Sequence, residues 1–244
     1  MRIKLTVSYD GTSYCGWQVQ SNGISVQQVL QEAISITTGE SDVKVIGSGR
    51  TDAGVHAVGQ IAHFDTKSSI PPHKFFKAIN VHLPIDIRVK DSELASDDFD
   101  ARKSAKKKTY RYTLYLGEVE QPLKERYATF VERKTDIEKM RSAAKLFVGE
   151  HDFKCFNASG GGAKTTVRTI YNIDIVEKDG DLKVFVTGNG FLYNMVRTLV
   201  GTILAVGQGE KTEEDILEML KTGDRNLCGK TLSAKGLCLM SVEY

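Results

Sequence analysis

The stretch GSGRTDAGVH, residues 47–56, sets Arg50 and Asp52 two positions apart in a segment punctuated by Gly47, Gly49 and Gly54 and followed by His56. A single ionised carboxylate can serve as a nucleophile or as a general base. A guanidinium beside it keeps it ionised by lowering its pKa. Glycines suit a loop whose backbone must come close to a ligand. The same letters also spell a turn, because Asp followed by Ala-Gly has good Asx-turn chemistry, and composition leaves both readings open. The stretch is no phosphate loop, since no Gly-Lys-Ser/Thr follows, and GSG and GNG (188–190) are too short for dinucleotide fingerprints.

Two further residues carry chemistry. Arg197 lies in NGFLYNMVRTLVGTILAV (189–206), the most apolar segment of the chain. There Leu192, Met195, Val196, Leu199, Ile203 and Val206 read as one buried side, while Asn194, Arg197 and Gly201 form a narrow polar stripe on the other. Such an arginine either snorkels to water or, if buried, needs an anion close by. An aspartate from the glycine-rich loop would fit. Tyr110 opens the YRY of a strand that follows a lysine run. It is either a core residue or, on the open side of a sheet, a platform on which a base can stack. Tyr112 has the same parity and shares its face.

Charge is distributed unevenly around these residues. Net charge is only +2, yet residues 91–100 hold five acids and residues 102–111 hold six bases. The acidic half reads as a solvated linker. The basic half, with Lys103, Lys106, Lys107, Lys108 and Arg111 interleaved with tyrosines, suits phosphates and bases together and would make binding salt-dependent. Four scattered cysteines without a C-x-x-C pair argue for reduced thiols in a cytoplasmic protein, and the five histidines show no metal-ligand spacing, so neither a metal nor a cofactor is expected. With 41% hydrophobic and 26% charged residues the chain reads as soluble. Its alternating start, MRIKLTVSYD, is no signal peptide, and its longest apolar run falls short of a membrane span.

The elements that must position these residues follow a repeated order. Ile3, Leu5, Val7 and Tyr9 alternate as a half-buried strand. Ser25 and Gln28 form a capping box for a helix faced by Val26, Val29, Leu30, Ala33, Ile34 and Thr37 and stopped by Gly39. Strands are expected near 43–48 and 58–66, a helix after Pro71-Pro72, and a strand over 85–89. In the second half a strand over 107–116 precedes a helix capped by Thr135 and Glu138 and ended by Gly149. Strands near 167–176 and 182–188 flank Asp179-Gly180, helices follow over 190–206 and near 212–221, and LCLMSVEY closes the chain. The order β-α-β-β-α-β thus occurs twice, the split arrangement of ferredoxin-like and RNA-recognition domains. The expected fold is α+β, with domains at 1–104, carrying the Asp52 loop, and 105–244, carrying an extra helix. The two sheets would join into a central antiparallel platform with helices behind it and a cleft between the halves.

GRTDAGVHA, the K-x-Y-R-Y strand, the GEHDF turn (149–153) and GFLYNMVR together resemble the tRNA pseudouridine synthase A family, along the whole chain. The resemblance implies that Asp52 is catalytic, that Tyr110 contacts the target uracil, that Arg197 pairs with Asp52, and that Arg50 faces the RNA and helps extrude the base. It also implies a homodimer acting on uridines 38, 39 and 40 of the tRNA anticodon stem-loop. That isomerisation breaks the N1–C1′ bond and rejoins the uracil through C5, which calls for a carboxylate and no redox partner. The competing readings are a non-catalytic RNA-binding protein of tandem RNA-recognition-like domains, which gives the Arg-x-Thr-Asp loop no purpose, and a small-molecule α+β enzyme, which leaves the lysines without one. The loop Ser159-Gly160-Gly161-Gly162 fits either disorder or closure over RNA.

Overall fold

The computed structural model describes residues 1–244 apart from 133, 159–161 and 179. Of the Ser159-Gly160-Gly161-Gly162 loop only Gly162 therefore falls within the described residues. The chain is mixed α+β with mostly antiparallel strand pairing. It divides into two compact units, residues 1–106 with 238–244, and residues 107–237. The final strand groups with the first of these units.

In the first unit, β1 (Arg2–Tyr9) lies between β4 (Ile87–Ala95) and β3 (His56–Asp65), antiparallel to both. Ile3, Leu5, Val7 and Tyr9 are buried as their alternation requires. β2 (Ile46–Gly47) adds antiparallel to one stretch of β3, and β10 (Leu237–Glu243) adds parallel to another, at Cys238 and Leu239. The helix α1 (Val26–Thr38) is capped by the Ser25 side chain, which accepts from Gln28 N–H, and ends at Gly39 in the left-handed conformation. Its buried face holds Val26, Leu30, Ala33 and Ile34, while Val29 and Thr37 are only half-buried. The short α2 (Phe75–Asn80) sets Phe75 edge-on against Phe64 of β3 at 5.6 Å.

Two expectations change here for physical reasons. Residues 43–45 are not a paired strand although Val43 and Val45 are buried. Gln27 Nε2 donates to the Val45 carbonyl at 2.7 Å and Gln31 Oε1 accepts from Val45 N–H at 3.2 Å, so side chains of α1 replace a neighbouring strand. The strand expected over 85–89 runs instead to Ala95 and takes in half of the acidic stretch. As an edge strand of this unit's sheet, β4 has exposed charges at Asp91 and Glu93, which suits an edge facing water.

In the second unit the strand order is β5 (Lys107–Leu116), β9 (Asp181–Gly188), β8 (Val167–Lys178), β7 (Gly149–Asp152), all antiparallel, with β6 (Thr129–Val131) parallel to β5. The GEHDF segment, read as a turn, is largely strand β7. The helix α3 (Ile137–Lys145) is capped by Asp136 rather than Thr135, with its carboxylate accepting from Lys139 N–H, and it ends at Leu146 rather than at Gly149, which opens β7. A carboxylate at a helix N-terminus also gains from the helix dipole. α4 (Met195–Gly207) starts five residues later than expected, and α5 (Glu213–Thr222) carries a complete capping box between Thr212 and Asp215.

Candidate active site

The Asp52 loop, despite its three glycines, is anchored along its length. At its start Ser48 N–H donates to the Ile61 carbonyl at 2.7 Å and Ser48 Oγ donates to Gln60 Oε1 at 2.6 Å. Gln60 Nε2 then donates to the Gly49 carbonyl at 3.0 Å. In its middle Trp17 N–H donates to the Thr51 carbonyl at 3.0 Å, and the Tyr9 hydroxyl meets Thr51 Oγ1 at 2.8 Å in a buried contact. After Asp52, Val55 N–H donates to the Asp52 main-chain carbonyl at 3.1 Å, a turn closed by backbone. His56 Nδ1 accepts from Gly11 N–H at 3.1 Å.

Glycine is required at two of the points where other chain passes the loop. A Cβ at Gly11 would stand 2.1 Å from the Val55 carbonyl oxygen. At Gly16, whose φ is +106°, it would stand 2.5 Å from that of Thr51. Burial pushes the Tyr9 hydroxyl above the ordinary tyrosine range, against the pull of its bond to Thr51, so it stays protonated and able to donate. The fully buried Trp17 packs under Gly47, and its indole N–H has no hydrogen-bond partner. On this support Asp52 is half-buried and Arg50 is exposed. Tyr9, Trp17 and Thr51 were not singled out from sequence as supports. The signals were slight: an inward strand position, the single tryptophan, and a threonine next to the aspartate.

Arg197 is held by its own side chain. Its Nη1 donates to Asn194 Oδ1 at 2.8 Å and its Nε donates to the Leu232 carbonyl at 2.7 Å. Asn194 sits at φ 61°, the one positive value at a non-glycine residue among those described. The stripe expected to be polar is covered by a strap of chain, residues 229–233. Gly229 N–H donates to Thr202 Oγ1 at 2.9 Å, and Thr231 and Thr198 hydroxyls meet at 2.8 Å. A Cβ at Gly201 would lie 1.9 Å from the Lys230 carbonyl oxygen, so only glycine lets the strap approach α4. The carbonyl after that of Leu232, on Ser233, accepts from the Tyr112 hydroxyl at 2.6 Å. Consecutive carbonyls of one strap thus hold Arg197 and Tyr112. Burial raises the Tyr112 phenol to about 12, against its bond to Thr129 and the field of Arg197.

Tyr110 is 8% exposed and presents its ring to Phe191 edge-to-face at 5.3 Å. The basic residues do not all gather around it. On β5, Lys108 shares the face of Tyr110 and Tyr112, whereas Lys107 and Arg111 point to the opposite face. Arg111 Nε is buried without a hydrogen-bond partner. Lys103 and Lys106 are exposed and belong to the first unit. Among the described residues no three His, Cys, Asp or Glu side chains form a metal-binding cluster, and no helix is long and apolar enough to cross a membrane.

Residues 5–116 and 143–244 match a family model described as tRNA pseudouridine synthase. Proteins named tRNA pseudouridine synthase A align along essentially the full length of both chains. That of Citrifermentans bemidjiense is 48% identical over 243 residues, covering 99% of this chain and 97% of its own. That of Syntrophotalea carbinolica is 47% identical over 242 residues, covering 99% and 96%. A solved structure titled "Crystal Structure of a Cbf5-Nop10-Gar1 Complex" overlaps 83% of this chain and 45% of its own, with a TM-score of 0.38 and 16% identity. The chain belongs to the tRNA pseudouridine synthase A family, whose members are isomerases.

Proposed function

We propose that this protein converts uridine to pseudouridine at positions 38, 39 and 40 of the tRNA anticodon stem-loop, with Asp52 acting on a flipped-out uridine. The observation that carries the reading is the anchored Asp52 loop in a chain of this family: one half-buried carboxylate on a backbone held at Ser48, Gly49, Thr51 and His56. Detaching N1 from C1′ and rejoining the ring through C5 needs one ionised carboxylate against the sugar or the base, supplied without redox chemistry. Arg197 partners that carboxylate and keeps it charged. A two-acid site of the glycosidase kind would instead need carboxyls ~5–10 Å apart with one held protonated.

In this reading the extruded uracil meets Tyr110, whose ring Phe191 braces, and unstacking it costs a few kcal/mol. Arg50, exposed on the loop, helps displace the base. Lys103, Lys106, Lys107, Lys108 and Arg111 contribute to phosphate binding, with strong salt dependence. Alternation along β5 divides Lys108 from Lys107 and Arg111, so the lysine cluster serves more than one surface. The two units correspond to the ferredoxin-like halves implied by the resemblance, and the protein acts as a cytoplasmic homodimer.

Tritium release from tRNA carrying [5-³H]uridine tests this directly, with wild type and Asp52→Asn side by side. The expected result is release by wild type, a loss of at least about 10³-fold in the variant, and unchanged tRNA binding by both. Release retained by the variant would remove Asp52 from the chemistry. Binding without release by either protein would make the chain an RNA-binding module.

A further inference from the structure

Two cysteines far apart in sequence meet in the second unit. Cys155 sits in the turn Lys154–Phe156 that follows β7, and Cys228 directly follows the turn Arg225–Leu227. The Cys228 sulfur lies 3.5 Å from the Cys155 carbonyl oxygen and 4.0 Å from Met219 Sδ, and the Cys155 sulfur lies 3.7 Å from the Met219 carbonyl oxygen. Arg225 Nη1 donates to the same Cys155 carbonyl at 3.0 Å. Cys155 is buried and Cys228 is half-buried, so the pair has one protected and one accessible member.

Their surroundings separate the two thiols chemically. The neighbouring Cys155 thiol, together with Arg225 and Lys211, holds Cys228 below the ordinary thiol range despite partial burial. The Cys228 side chain, with burial, in turn pushes Cys155 up. A lowered, accessible thiol beside a protected one is the arrangement of an attacking and a resolving cysteine. Neither sulfur has a part in the function proposed above. Cys228 also immediately precedes Gly229, the first residue of the strap that holds Arg197.

We propose that Cys228 and Cys155 are a redox-active pair that a hydroperoxide closes to a disulfide. The Cys228 thiolate attacks the peroxide oxygen, the O–O bond breaks, and the departing alkoxide or hydroxide takes up a proton, leaving a sulfenic acid on Cys228. The Cys155 sulfur then attacks the Cys228 sulfur and displaces hydroxide, which leaves as water with the Cys155 proton. The two sulfurs together lose two electrons, and the peroxide gains them. Cys228 Sγ already lies 3.5 Å from the Cys155 carbonyl oxygen and both sulfurs touch Met219, while the disulfide needs an S–S bond of about 2.05 Å.

The test uses the full-length protein, reduced and then treated with one equivalent of hydrogen peroxide. Remaining thiols are alkylated, and an unreduced digest is read by mass spectrometry. The expected product is a single 155–228 cross-linked peptide and a protein lighter by two hydrogens. In the reduced protein Cys228 should alkylate at least about tenfold faster than Cys15, which is also half-buried. Cys155→Ser should stop the reaction at a Cys228 sulfenic acid that dimedone traps, and Cys228→Ser should abolish the cross-link. Cross-links scrambled among Cys15 and Cys238, no cross-link at all, or Cys228 alkylating no faster than Cys15 would each overturn the pair. None of these readouts depends on turnover of RNA, so failure here and failure of the isomerase reading are separate results.

Discussion

Asp52 and Arg197 are positioned by opposite means. Around Asp52 the neighbours are held through main chain and small side chains, with Thr51 gripped by Trp17 N–H and the Tyr9 hydroxyl and with glycines where backbones cross. Arg197 is held by its own guanidinium, bonded to Asn194 Oδ1 and the Leu232 carbonyl, on a helix buried all round except at that residue. A short side chain on a fixed loop can be aimed only by fixing the loop. A long one on a rigid helix must be fixed at its tip, because its rotamer freedom would otherwise cost about 2 kcal/mol to freeze at each encounter. The vulnerable points are therefore the supports of the loop in one case and the strap over the helix in the other.

Arg197→Ala breaks the comparison most severely. Pseudouridine formation should fall by about 10²-fold or more, and the loss of donors to Leu232 O and Asn194 Oδ1 should cost about 1–3 kcal/mol in a urea melt. Unchanged turnover would mean that the strap serves stability alone.

Gly201→Ala attacks the same strap without touching the arginine. Helix propensity favours alanine by about 1 kcal/mol, but a Cβ only 1.9 Å from the Lys230 oxygen must displace the strap. The clash should win, with a net loss of about 1–3 kcal/mol, a Tm lower by several degrees and turnover down at least about tenfold. Gly162→Ala, with nothing within 4 Å of its Cβ, is the silent comparison in the same calorimetric scan.

Tyr9→Phe sharpens the loop side. Removing the hydroxyl from Thr51 should cost about 1 kcal/mol and lower kcat about tenfold with KM little changed. Equal kcat would show that Trp17 N–H and the crossing glycines hold the loop unaided.

The smallest effect concerns Tyr112. Its phenol ionises at about 12 in the folded protein and near 10 when unfolded. The folded state thus binds this proton more tightly, so the contribution is full below pH ~10 and lost as pH rises toward 12, up to about 2–3 kcal/mol. Tyr112→Phe should cost about 1 kcal/mol at pH 8, where Ser233 O loses its donor, yet make the decline between pH 10 and 12 shallower. Urea midpoints at pH 8 and pH 11 check both, and a decline of unchanged steepness would separate the alkaline weakening from this residue.

Local order was legible wherever one short segment sufficed to specify it. The alternation of Ile3, Leu5, Val7 and Tyr9, the Ser25 cap with its Gly39 stop, and the hairpin of β8 and β9 all follow from neighbours a few residues apart. So did the suspicion attached to Asp52, because an arginine, an aspartate and three glycines within ten residues are informative without a fold. Other outcomes depended on partners that the spacing does not name. Gln27 and Gln31 look like helix surface, yet they satisfy Val45 and so deny residues 43–45 a strand. Interleaving of Tyr110 with Lys107 and Arg111 suggested one mixed surface, and β5 sends them to opposite faces. The final strand continues the second half of the chain but pairs with β3 of the first unit.

The amino-acid sequence by itself determined most element types, the cap and stop of α1, and which carboxylate and which arginine to watch, because these rest on periods of two and 3.6 residues and on side-chain chemistry. Tertiary structure alone decided how the two are held. The bond from Arg197 to Leu232 spans 35 residues and that from Tyr9 to Thr51 spans 42, and contacts of that separation leave no periodic trace in the chain.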